Sequence, residues 1–160
     1  KTVEVHNTDA EGRLILADGL SLAVEDKPEA IIDIATLTGA AMAALGPDIA
    51  AVLGTGSKVV EQLTESAEAT GEPIWEMPLE KARYRKLLDS NVADMRNIGG
   101  PYAGCITAAI FLSEFTADVP WAHLDIAGTM KVDGDESWRS KGATGFGTRL
   151  LIDAVTNWSA

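Results

Sequence analysis

The chain has 160 residues, enough for one domain with a core of useful size and too few to suggest two. Hydrophobic residues make up 46% and charged residues 23%, values that exclude a disordered chain and fit an ordinary globular one. The formal net charge of -11 and a pI near 4.5 argue against nucleic acid as a partner and against anionic membrane surfaces.

Thr2-Val3-Glu4-Val5-His6 alternates β-favouring and polar residues and predicts a short strand. It leads into Asn7-Thr8-Asp9-Ala10-Glu11-Gly12-Arg13, where two carboxylates and a guanidinium stand at alternate positions. Asp9, Glu11 and Arg13 project to one side if this stretch is extended or irregular; a helix would keep Asp9 near Arg13 and turn Glu11 away. The extended reading offers hard oxygen ligands for divalent cations, with a fixed positive charge beyond them for an anion or a developing oxyanion. The competing reading is a solvated acidic surface or a helix cap.

From about Arg13 to Val24, Leu16, Leu20, Ala23 and Val24 recur at helical spacing, and Leu14, Ala17 and Leu22 widen the stripe, so a largely buried helix is expected, ended by Lys27-Pro28. Ala30 to Ala35 is a short apolar run that predicts a central parallel strand covered on both faces. Asp33 interrupts it and is read as a hydrogen-bonded carboxylate in preference to a metal ligand, because no second ligand stands at close spacing. Thr36 to Gly39 forms a loop at the strand's C-terminal end, the edge where open α/β sheets place ligands.

Ala40 to Gly46 and Ile49 to Leu53 are apolar segments whose type periodicity leaves open. Gly54-Thr55-Gly56-Ser57 reads as a turn with Ser57 as N-cap of a helix carrying Val59, Val60, Leu63 and Ala67 and ending at Gly71. Its two glycines and Lys58 do not make a phosphate cradle, which ranks a nucleotide-binding reading last. Glu72 to Pro78 is expected to be an extended connection, and Glu80 to Ser90 a surface helix whose basic face is either solvated or an interface.

Asn97 to Gly104 is a Gly-rich loop suited to bordering a site. Cys105 to Phe115 predicts an apolar helix, and Pro120 to Ala127 an interior strand. His123 in that strand is read as a hydrogen-bonded structural histidine, with a base or ligand as the alternative. Lys131 to Lys141 is a polar loop, and Gly147 to Trp158 a closing amphipathic helix. The whole predicts an α/β layered domain with helices on both faces of a mostly parallel sheet.

The one cysteine, Cys105, cannot form an internal disulfide and is expected to be a small buried thiol in a reducing, cytoplasmic setting. No apolar run approaches the roughly 18 residues that span a bilayer. The absence of an initiator methionine and the start inside a strand suggest a fragment or a processed product.

Asn7 to Leu14 resembles the signature of the leucyl aminopeptidase family, two-metal exopeptidases acting on peptide N-termini. The resemblance continues through Asp33 to Ala40, Ala93-Asp94 with Asn97, Ile106 to Ala109 with Phe111-Leu112, Trp121 to Gly128, and Gly142 to Gly145. It implies that Asp9 and Glu11 are metal ligands, Glu11 bridging both ions, and that Arg13 is the catalytic arginine acting through a bound bicarbonate. The backbone around Thr36 and Leu37 is then the peptide-binding segment, while Thr36, Gly39, Ala127 and Met130 form the pocket for the first side chain. Such a pocket is roomy and apolar and suits Leu or Met, with broad selectivity.

By the same resemblance the cofactors are two divalent ions, manganese or zinc, and the partners are peptide substrates and further copies of the chain in a homo-hexamer. The family's other ligands, a lysine and two aspartates, and its catalytic lysine precede the signature, where only Lys1 to His6 stand here. Residues 1–160 therefore resemble the C-terminal part of a catalytic domain, expected to be inactive alone and to bind metal weakly. The alternative is a non-catalytic assembly or regulatory module that has kept the scaffold.

Overall fold

The computed structural model describes residues 1–158; the last two residues of the expected domain lie outside the described residues. In chain order the elements are β1 (Val3–Glu4), a 3-10 turn (Thr8–Ala10), α1 (Glu11–Glu25), β2 (Ile31–Ala35), α2 (Gly39–Leu45), β3 (Ala50–Gly54) and α3 (Ser57–Thr70). There follow β4 (Ile74–Glu76), α4 (Lys81–Tyr84) running into a 3-10 turn (Arg85–Leu88), β5 (Met95–Arg96) and α5 (Gly104–Ser113). The chain continues with β6 (Trp121–Asp125), β7 (Lys131–Val132), β8 (Gly142–Ala143) and α6 (Thr148–Thr156).

The main sheet has the order β2-β6-β3-β4, with β2 parallel to β6, β3 parallel to β4, and β3 antiparallel to β6. Alternation along the strands divides the apolar residues between two layers. Ile31, Ala51, Leu53 and Trp121 pack with Ala17 and Leu20 of α1, Ala41 of α2 and the buried face of α5. Val52, Ala122 and Leu124 face the other way, onto Val59, Val60, Leu63 and Ala67 of α3 and Leu150 and Ala154 of α6. The domain is thus α/β and layered, with helices on both faces of a mostly parallel sheet. Every residue from Cys105 to Ser113 is buried, which explains why α5 shows apolar residues all round instead of a stripe.

Several local expectations are corrected. The strand from Ile31 is an edge of the described sheet, not a central strand, and four of its five residues are only half-buried. The first long helix exposes Ile15 and Leu22, so it is buried along one face only. Gly56 caps α3 in place of Ser57, and Pro120 lies so close to it that a Cβ there would meet the Pro120 Cβ at 2.9 Å. The segment around Trp75 pairs with β3, and the helix expected over Glu80 to Ser90 is a single α-turn followed by a 3-10 turn. The polar loop after Met130 closes as a two-stranded ribbon, β7 with β8. Among the described residues, no helix is long and apolar enough to cross a membrane.

Candidate active site

The signature stretch sits beside the parallel β1–β5 pair and is held there by one side chain. Asn97, fully buried, accepts hydrogen bonds at Oδ1 from the His6 and Asn7 amides (2.9 and 3.3 Å), and its Nδ2 donates to the Asn7 carbonyl at 2.7 Å. Asn7 in turn caps the following turn by accepting from the Asp9 amide at 2.9 Å. Thus the stretch is not extended: it is a capped 3-10 turn that runs directly into α1, with Glu11 and Arg13 in the first helical turn.

The consequence is a separation of the charged trio. Asp9 and Glu11 are exposed, and among the described residues neither carboxylate is engaged in an ion pair or a side-chain hydrogen bond. Arg13 turns inward, 8% exposed, and its Nη1 donates to the Asn97 carbonyl at 2.7 Å. Arg13, Ala17 and Leu20 are the buried residues of α1, at i, i+4 and i+7. That periodicity is a sequence signal for the helical start, hidden because its first member is charged. Burial pulls the Arg13 guanidinium below its ordinary pKa, while the charge of Asp125 acts the other way. Its Nε is buried without a hydrogen-bond partner among the described residues.

The second part of the site is made where β2 and β6 end together, Ala35 opposite Asp125. Asp125, 1% exposed, accepts at Oδ1 from the amides of Leu37, Thr38 and Ala127 (3.1, 3.3 and 3.3 Å) and at Oδ2 from the Thr38 hydroxyl at 2.6 Å. The Thr38 hydroxyl oxygen also accepts from the Ala41 amide and so caps α2. Since the N–H groups of Leu37 and Thr38 are taken up by Asp125, what these two residues can still offer a ligand from the backbone is carbonyl oxygen. Leu37 also approaches the signature: a Cβ on Gly12 would lie 3.5 Å from Leu37 Cδ1. Sequence reasoning assigned no role to Asn97 or Asp125, and only the register of β2 on β6 reveals what Asp125 binds.

Thr36 and Gly39 are exposed on the first loop, Ala127 is buried and Met130 is 40% exposed on the second. The second loop is braced from behind, with the Thr144 amide donating to the Met130 carbonyl and the Thr144 hydroxyl to the Thr129 carbonyl. Gly128 passes so close to Gly46 that a Cβ would collide with the Gly46 carbonyl oxygen. The four residues therefore stand on two adjacent loops at the same sheet end, whose amides converge on Asp125.

Cys105 opens α5 against the same cluster, and burial together with the charge of Asp125 pushes its thiol up to about 12. Among the described residues no three His, Cys, Asp or Glu side chains group so as to hold a metal ion. Asp9 and Glu11 are exposed, unengaged carboxylates, hard oxygen donors of the kind a divalent cation takes.

The family model for the cytosol aminopeptidase family, catalytic domain, matches residues 1–152. A probable cytosol aminopeptidase of Geobacter sulfurreducens is 50% identical over 153 residues, covering 96% of this chain and 31% of that protein. Probable cytosol aminopeptidases of Prochlorococcus marinus and Roseiflexus castenholzii are 51% and 49% identical over 160 residues, covering 99% of this chain and 31% and 33% of theirs. The chain spans about a third of the length of the curated relatives it matches. With the match running through the signature, both loops around Asp125 and the bracing segment at Thr144, the chain belongs to the cytosol aminopeptidase family.

Proposed function

We propose that the protein carrying this chain is a metal-dependent aminopeptidase that releases N-terminal residues, preferentially Leu or other apolar ones, from peptides. The observation that carries this reading is that two unengaged carboxylates, Asp9 and Glu11, stand within four residues of a buried arginine whose Nε has no partner among the described residues. Asp9 and Glu11 would hold two divalent ions, manganese or zinc. Such ions, when bound, polarise a scissile carbonyl and lower the pKa of bound water. Arg13, its guanidinium fixed by the Asn97 carbonyl, would supply the positive charge that retains a small anion such as bicarbonate.

The Leu37 carbonyl would accept a hydrogen bond from the peptide backbone, and Thr36, Gly39, Ala127 and Met130 would receive the first side chain. Met130 supplies a flexible apolar wall that accommodates several side chains, so selectivity among them is limited to about 1–3 kcal/mol per methylene. These residues form the C-terminal part of the catalytic domain in this reading; alone they lack the remaining ligands and are inactive. The whole protein works as a homo-oligomer, a hexamer by family resemblance, in the cytoplasm.

The test is release of leucine from leucyl amide, with added manganese or zinc, by the full-length protein, by its Asp9→Ala form and by residues 1–160 alone. Activity is expected in the first only. Activity of the isolated chain would refute the account of its missing ligands. A folded, metal-loaded full-length protein inert towards every peptide offered would transfer support to an assembly or regulatory role.

A further inference from the structure

We infer that Asp125 is the positioning residue of the substrate loop: it shapes the Leu37–Thr38 backbone and the Ala127 wall for peptide binding without touching the peptide. Four donors converge on this one carboxylate, three backbone N–H groups and the Thr38 hydroxyl. Only an acceptor-only group suits that surround. An asparagine could keep Oδ1 for the three amides, but its Nδ2 offers no lone pair to the Thr38 hydroxyl proton that Asp125 Oδ2 accepts, so that donor loses its partner.

The carboxylate ties two loops separated by almost ninety residues, since Leu37 and Asp125 are 88 apart in sequence and Ala127 follows two residues later. It therefore sets the spacing between the peptide-binding backbone and the pocket. At 1% exposure and with its oxygens occupied, Asp125 is not itself a ligand for substrate or metal. The arrangement also accounts for which backbone groups remain outward: with the two amides turned in, the Leu37 carbonyl is left for the peptide.

This inference rests on the peptidase reading, and the experiment separates the two. In the full-length protein, Asp125→Asn is expected to raise KM for leucyl amide about tenfold while kcat changes less than about threefold, because binding geometry is lost and the reacting groups stay. Hydrogen exchange should accelerate about tenfold over residues 36–41 and 126–130, with α3 and α6 protected as before and bound metal unchanged. Unchanged KM with unchanged protection of the loops overturns the inference, and so does a fall in kcat alone.

If Asp125→Asn does not fold, Thr38→Val carries the test. Removal of the hydroxyl should raise KM in the same direction, and Thr38→Ser should restore most of the loss; equal effects of the two would overturn the inference. A wild-type protein without peptidase activity defeats the peptidase reading, while the exchange measurement still decides whether Asp125 holds the loops.

Discussion

Asp33 and His123 face each other across the parallel β2–β6 pair, with Asp33 Oδ1 2.5 Å from His123 Nδ1 and Asp33 Oδ2 accepting from the Trp121 indole at 2.6 Å. The His123 ring is 1% exposed and stacks along Trp121, and its Nε2 has no partner among the described residues. One carboxylate thus satisfies two aromatic donors inside the apolar layer beneath α5. Asp33→Ala would leave both donors buried and unpaired and should cost about 3 kcal/mol of stability, with Asp33→Asn costing less because one acceptor survives. Urea unfolding of the full-length protein measures this. The site loops hang from Asp125, not Asp33, so kcat per folded molecule should stay within about threefold.

Arg13→Lys should lower kcat at least about a hundredfold while preserving the fold, since a lysine keeps a charge but not the fixed fork that reaches the Asn97 carbonyl and still offers Nε. Arg13→Ala removes the buried stem as well and should add a loss of about 2 kcal/mol in stability. Steady-state kinetics with thermal melts of both variants separate the two effects.

Asn97→Ala should act from a distance on the turn that carries Asp9, where the proposed metal ligands stand. It deletes the three hydrogen bonds that hold His6 and Asn7, yet leaves Asp9 and Glu11 in place as residues. The expected result is weaker metal binding by about tenfold or more, read by competition with a chelating dye, together with faster amide exchange over residues 6–10. Metal affinity equal to wild type would refute this coupling.

Acid should loosen the same turn. Glu4 accepts from the Ser90 hydroxyl at 2.6 Å and meets His6 Nε2 at 2.7 Å, with Arg96 nearby; the Ser90 bond first and His6 next hold its carboxyl below the ordinary value. A carboxyl with a depressed folded pKa contributes stability that is present above its unfolded value of about 4.3 and lost as pH falls through the folded value. Asp94, held down by the Thr2 amide and hydroxyl, adds to β1–β5 with the same sign. Amide exchange over residues 2–10, corrected for intrinsic rates, should therefore be flat from pH 7 to 5 and should rise below about pH 4, with Glu4→Gln abolishing much of the dependence.

Cys105 should be silent towards alkylation. A thiol buried and raised to about 12 carries almost no thiolate at pH 8. Iodoacetamide should leave the native protein unmodified for hours and label it within minutes in denaturant. Fast native labelling would contradict the described packing of α5.

Much of the layered fold was legible because its strongest signals are local. The apolar runs at Ile31 and Trp121, the αL glycine that ends α3 at Gly71 and the predominantly apolar α5 each follow from residue type and period. The structural roles of Asp33 and His123 were also readable, since a lone polar residue among core residues must find a partner. The strand order was not, because pairing of β2 with β6 depends on contacts ninety residues apart. The helical start at Glu11 escaped for a different reason: Arg13 belongs to the buried stripe, and hydrophobic periodicity counts a guanidinium as polar. Asp125 drew no reading because only the register of β2 on β6 sets three amides around it.

β6 lies between β2 and β3 although it is the last of the four strands to be synthesised. The positions that pair across β2 and β6 are 90 residues apart, as Asp33 and His123 show. At typical ribosomal rates β2 therefore waits about 5–20 s for its neighbour, while β3 has only β4 beside it. Of the described sheet, the nascent domain carries one unpaired strand, β2, and one pair, β3 with β4, until a late segment slides between them, so the sheet closes in one event of high contact order. Shortage of chaperone capacity should accordingly be felt in yield before it is felt in the activity of molecules that finish folding.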